Sequence, residues 1–143
     1  MIEVVVTIAI IAMVSAIAMP ALAKPLDTVK LRTDAREMAS VLRLARQQAM
    51  TSGQPQTVIF YPENAKYKMS GQSAHILNPG INFLGTTTFM TKVGGLPACS
   101  FSPSGAPSSG GTITLSNRDN RLYVIVNAVA GRVRISESPP EDW

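Results

Sequence analysis

The chain is poor in the groups that do chemistry. Its 143 residues include one cysteine, one histidine and one tryptophan, and only 15% are charged. With Cys99 alone, no disulfide forms within the chain, so the fold is held by packing. We read Cys99 as a small buried apolar thiol, with a link between chains as the alternative. His75 lies beside Ile76 and Leu77 with no Cys, Asp or Glu at metal-ligand spacing, so it reads as structural or surface and no metal site is expected. There is no glycine-rich phosphate loop with a lysine, and no serine, histidine and acid set that spacing brings together. No catalytic residue, cofactor or small-molecule substrate is expected, and the chain is not read as an enzyme.

Charge is the other shortage, and it is local. After Glu3 no charged residue occurs until Lys24. Residues 4–23 are mostly Val, Ile, Ala and Met, and as a helix they reach about 30 Å, the thickness of a bilayer's hydrocarbon core. A cleaved secretory signal needs a basic head and a shorter apolar region, so a spanning segment is the expectation. The net charge of +4 is mild, and the basic residues are spread from Lys24 to Arg134. By itself it draws anionic lipid or nucleic acid only weakly.

Within this apolar run Glu3 is the anomaly. A charge at membrane depth costs about 2.5–3.5 kcal/mol on insertion scales, so it calls for a partner. The residues Ile2-Glu3-Val4-Val5-Val6, Ile8-Ala9-Ile10-Ile11-Ala12 and Ala16-Ile17-Ala18-Met19-Pro20-Ala21-Leu22 place an acid, an apolar run and a proline in one order. This pattern resembles the amino terminus of type IV pilins and type II secretion pseudopilins. In that family the mature chain has four residues before the Glu and an N-methylated first residue, whereas two precede it here. The resemblance implies that Glu3 attracts the amino-terminal ammonium of a neighbouring subunit and sets axial register. It also implies an unwound or bent segment around Pro20.

Pro20 and Pro25 each remove a backbone donor, so a bend or melted stretch is expected over residues 18–26, with Asp27 and Thr28 capping a fresh start. From there Leu31, Ala35, Met38, Leu42, Ala45 and Ala49 recur at spacings of four, three, four, three and four, one helical stripe. Val41, Leu44 and Met50 widen it, and Arg32, Arg36, Arg43 and other polar residues occupy the sides and back as a solvated face. Gly53 supplies the stop and Pro55 prevents resumption. Three segments follow: residues 1–26 as an apolar helix with a proline kink, 27–53 as an amphipathic half, and 54–143 as a head.

The head reads as β. Residues 56–61 (QTVIFY) and 65–69 (AKYKM) form a hairpin about Pro62-Glu63-Asn64, and 74–77 and 82–84 are short strands divided by Asn78-Pro79-Gly80. Residues 86–92 are a further strand candidate. Thirteen of the eighteen residues in 94–111 are Gly, Pro or Ser, which predicts a long loop. Residues 112–116 (TITLS), 122–127 (LYVIVN) and 132–136 (RVRIS) alternate as strands, and the acidic, proline-bearing tail 137–143 is expected to be extended. The fold class is therefore α+β: a long N-terminal helical stem, half apolar and half amphipathic, packed on an antiparallel β-rich head.

The helix end RLARQQAMTSGQP and the final series GGTITL, YVIVN and GRVRI resemble the GspH/FimT class of pseudopilins and minor pilins. Gly131-Arg132-Val133-Arg134 resembles the GRxR signature of DNA-binding minor pilins of that class, and alternation puts Arg132 and Arg134 on one face of a strand. Pairing of both with acids of the tail or of a neighbour is the favoured reading, since two arginines supply few of the phosphate contacts that DNA binding sums. The family resemblance implies a structural subunit of a type IV pilus-like surface filament, polymerising with itself or with other pilins. A DNA-binding minor pilin at a pilus tip and a type II secretion pseudopilin are the alternatives. The chain would begin in the bacterial inner membrane and pass into an extracellular pilus or a periplasmic pseudopilus.

Overall fold

The computed structural model describes residues 2–85 and 87–140, and the backbone alone for residues 16–24. Among the described residues one α-helix, α1 (Ile2–Ser52), is followed by nine strands in two antiparallel sheets, with a single 3-10 turn at Pro62–Asn64. They are β1 (Gln56–Tyr61), β2 (Lys66–Met69), β3 (Ala74–Ile76), β4 (Asn82–Phe83), β5 (Lys92–Val93), β6 (Leu96–Phe101), β7 (Gly111–Ser116), β8 (Arg121–Val126) and β9 (Val133–Ser136). The first sheet has the order β3-β2-β1-β6-β5 and the second β4-β7-β8-β9.

At about 75 Å, α1 is far longer than the head it carries. Its second half behaves as the stripe requires: Leu31, Ala35, Met38, Leu42, Ala45 and Ala49 are all buried. Ala39 and Val41 widen the buried face, whereas Leu44 and Met50, expected to do so, remain exposed. The stripe rests on residues from both sheets, including Phe60, Phe101, Ile113 and Val124, in one continuous core. Gly53, at φ +65°, ends the helix in the left-handed conformation that glycine adopts without strain.

Helical backbone continues through residues 18–26, so the expected melting and restart at Asp27 do not occur in the single chain. Proline's fixed φ is helical, and the cost of each proline is a lost hydrogen bond that an otherwise regular helix absorbs. The side chain of Pro20 lies outside the described residues. Asp27 and Thr28 instead anchor the head: Asn117 Nδ2 donates to Asp27 O at 3.1 Å and Asn120 Nδ2 to Thr28 Oγ1 at 3.3 Å.

The main correction concerns residues 94–111. Leu96–Phe101 is β6, an interior strand of the first sheet, paired with β1 in the register Val58↔Cys99 and with β5 in the register Lys92↔Pro97. Pro97 is tolerated because it falls beyond the last β1 pair, on the side where only two-residue β5 borders it. The true Gly/Pro/Ser loop is 102–110. Conversely, residues 87–91 form no strand. They run beside β7 with Thr88 N donating to Thr112 O at 3.2 Å, and they deliver Phe89 into the core. Its ring stacks on Phe60 of the first sheet at 5.5 Å and covers Gly111 of the second, where a Cβ would stand 2.7 Å from the ring.

Candidate functional site

Two regions hold the residues singled out by sequence, and a third emerges from the packing. The first is the free half of α1. Glu3 lies in its opening turn. Beyond it Val4, Val5, Val6, Ile8, Ile10, Ile11, Met13 and Val14 are all more than half exposed. The one hydroxyl among them, Thr7 Oγ1, donates to Val4 O at 2.9 Å and so is satisfied inside the helix. Among the described residues, no helix is long and apolar enough to cross a membrane; residues 16–24, which the expected span includes, have undescribed side chains.

The second region is the face of β9. Arg132 and Arg134 flank buried Val133 and are both exposed, as alternation requires. With Ile125, Asn127 and Ala130 they line a hollow of about 420 Å³ on the outer side of the sheet. Glu137 of the tail bonds Arg32 at 3.0 Å, and among the described residues neither Arg132 nor Arg134 makes an ion pair; Glu141 and Asp142, on which the expected pairing also rests, lie outside the described residues. Glu137 reaches Arg32 because the chain leaves β9 toward the helix side. Gly131 has φ +61°, and a Cβ on it would come within 2.7 Å of Gly105 O. Loop 102–110 thus crosses directly behind the Arg132 turn, held there by Arg46 Nε, which donates to Gly105 O at 3.0 Å.

The third region is a clamp between stem and head. Asp34 is 2% exposed and accepts two hydrogen bonds from one residue, from Asn78 N at 2.8 Å and Asn78 Nδ2 at 2.6 Å. Burial raises its pKa above the ordinary 3.8, the two Asn78 bonds oppose that rise, and Glu37 nearby adds to it. Glu37 in turn meets His75 Nδ1 at 3.0 Å, and the His75 ring stacks on Tyr67 at 5.2 Å. His75 is thus part of a polar seam between α1 and β3. Among the described residues no cluster of His, Cys, Asp or Glu has the makings of a metal site. Sequence reasoning passed over Asp34, yet a signal existed, since it is an acid within the helical stripe, three residues after Leu31 and four before Met38. Cys99 is fully buried, and burial pushes its thiol to about 12.

Comparison with known proteins follows the same architecture. A family model described as "Type II transport protein GspH" matches residues 34–131. "Type II secretion system protein H" of Xanthomonas campestris pv. campestris is 30% identical over 136 residues, covering 94% of this chain and 79% of that protein. Among solved structures, the minor pseudopilin EpsH of the type 2 secretion system of Vibrio cholerae aligns with a TM-score of 0.63 at 14% identity. It covers 76% of this chain and 97% of that one. The type IV minor pilin FimU of Pseudomonas aeruginosa aligns with a TM-score of 0.57 at 14% identity, covering 74% of this chain and 92% of that one. The two structures share the stem-and-sheet fold. The family match ends at Gly131 and begins at Asp34, so Glu3, Pro20, Arg132 and Arg134 all lie outside it.

Proposed function

The chain belongs to the GspH family of type II transport proteins, and from that premise we propose that it is a structural subunit of a pilus-like filament, of the minor pseudopilin kind. The observation that carries this reading is the contrast within α1. Residues of its second half are buried in the head, while the described large apolar side chains of the first half, from Ile2 to Val14, are exposed. In a membrane those side chains meet lipid, and in a filament they meet the stems of neighbouring subunits. Exchange of one apolar surround for another gains little hydrophobic energy, so packing and specific polar contacts decide the assembled geometry. Glu3 is the proposed polar contact. Its carboxylate, drawn to the ammonium at the start of an adjacent stem, fixes how far one rod slides past the next, and the apolar surround leaves that attraction little screened. Pro20 is the proposed point at which the stem yields on assembly.

This role is structural, without catalysis, and it places the unassembled chain in the bacterial inner membrane, with the pseudopilus as its destination. Glu3→Ala tests it. The head should keep its circular dichroism, the protein should stay in the membrane fraction, and its recovery in sheared or purified filaments should fall several-fold. Normal recovery would remove Glu3 from the mechanism.

A second reading is favoured by one observation, the two exposed guanidinium groups of Arg132 and Arg134 on a single face. Two planar forks at that spacing suit phosphates of nucleic acid. Full-length protein in detergent, titrated with duplex DNA over a range of salt, should bind with a salt-dependent affinity that Arg132→Ala with Arg134→Ala abolishes. Absence of binding at low salt would leave the filament role alone.

A further inference from the structure

Among the described residues, no strand pairs with the outer edge of β9. Asn127 N donates to Arg132 O at 2.9 Å, and the ladder continues through Ile125↔Arg134 and Tyr123↔Ser136. By alternation, Val133 and Ile135 turn their N–H and C=O groups away from β8. The second sheet ends at β9. Arg43 Nη2 donates to Val133 O at 3.0 Å, but among the described residues no hydrogen bond reaches Ile135 from outside the ladder.

Arginines stand on both sides of this edge. Arg32 and Arg36 border a cleft of about 300 Å³ whose floor is Leu122 and Ile135. Arg43 and Arg46 border an adjoining cleft of about 380 Å³ that reaches Val133. Arg132 and Arg134 line the hollow on the opposite side of the strand. Six of the chain's thirteen basic residues therefore surround a four-residue strand. Among the described residues, Glu137 is the one acid lining any of the three clefts. Charged side chains also serve to keep sheet edges from pairing. That task does not call for cations on both faces above an apolar floor.

We propose that the β9 edge is a docking site for an extended acidic segment of another protein subunit, which adds to the second sheet as a fifth strand. Its backbone would pair with Val133 N and with both groups of Ile135, displacing the Arg43 side chain from Val133 O. Its carboxylates would then face Arg32, Arg36 and Arg43 on the helix side and Arg132 and Arg134 on the outer side, which is how strand addition divides affinity from specificity. Nucleic acid fits this edge less well. It has no use for the outward Ile135 backbone groups or for the apolar floor of Leu122 and Ile135.

The test is fluorescence anisotropy of the full chain in detergent micelles with a labelled eight-residue peptide that sets glutamates in adjacent pairs among valine and threonine, so that carboxylates face both sides of the added strand. Saturable binding is expected. Arg36→Glu and Arg134→Glu should each weaken it about three- to fivefold, as for exposed ion pairs. Ile135→Pro, which removes the N–H directed away from β8 together with the Ile135 side chain, should abolish it, whereas Ile135→Ala, which removes the side chain alone, should not, the circular dichroism of the head being unchanged in both. A peptide N-methylated at alternate amides should fail to bind the unaltered protein, and this arm needs no variant to fold. No saturable binding, equal binding of the N-methylated peptide, or tighter binding of a single-stranded oligonucleotide at the same salt would each overturn the proposal.

Discussion

Replacing Asp34 by alanine attacks the joint between stem and head at its most enclosed point. The substitution deletes the acceptor of two hydrogen bonds while Asn78, held by its turn, stays beside the buried gap. A buried donor left unpaired costs about 1–3 kcal/mol. Two donors are affected, but removing a carboxylate that burial itself disfavours returns part of that cost. A net loss of about 2–3 kcal/mol is expected, which for a head of this size lowers Tm by roughly 10–20 °C. Thermal unfolding of the full chain in detergent, followed by near-ultraviolet circular dichroism, reads this directly. Asp34→Asn keeps one acceptor but turns an amide toward Asn78 Nδ2, and should lose less. The pH dependence has a definite sign. Because the folded pKa of Asp34 lies above 3.8, the fold holds this proton more tightly than the unfolded chain does. Its contribution is complete below pH 3.8 and is lost as pH rises through the folded value. The stability of the native protein relative to Asp34→Asn should therefore fall across that window. A loss under about 0.5 kcal/mol for Asp34→Ala, the size of an ordinary surface change, would refute the clamp.

Other consequences can be read with equally simple assays. Cys99 should resist iodoacetamide at pH 8 in the native protein and react promptly in denaturant, since it is fully buried and its thiol stays protonated to about pH 12; rapid native labelling would show that β6 opens. Gly131→Ala should cost more than Gly53→Ala in chemical denaturation. Both positions have positive φ, worth about 1 kcal/mol, but a Cβ at Gly131 also meets Gly105 O at 2.7 Å whereas Gly53 faces open space. Equal losses would dissolve the argument that loop 102–110 is pinned behind the Arg132 turn.

Where the chain repeats a physical period, the sequence disclosed its structure. The six-residue stripe from Leu31 to Ala49 is buried throughout, and β1, β2, β7 and β8 lie within a residue or so of the expected positions. Strand β6 was hidden for a reason that can be named. Ala98 and Cys99 are adjacent and both buried, so no alternation marks them, and glycines, prolines and serines crowd both flanks. A strand enclosed on both faces has no period to display. The stem-head clamp was hidden differently. Asp34 breaks the chemistry of the stripe while keeping its spacing, and its partner Asn78 lies 44 residues away in a turn read only as a turn.

The two halves of α1 differ in how much of their circumference is apolar, and this decides how many neighbours each requires. In the second half one stripe is greasy, and one partner, the head, covers it. At 100° per residue, Ile2, Val6 and Met13 lie on one side of the first half and Val4, Ile8 and Ile11 on the opposite side, and all six are exposed. A helix apolar all round is buried all round, so a single docked partner, or the chain's own head folded back on the stem, would leave half of it in water. Lipid or several neighbouring stems satisfy it, and a helical filament supplies the second. Serine at all three positions on either face should therefore reduce recovery in filaments, with the head unchanged by circular dichroism. If one triple variant assembled normally while the other failed, the stem would have a single partner, and the inference from its circumference would be wrong.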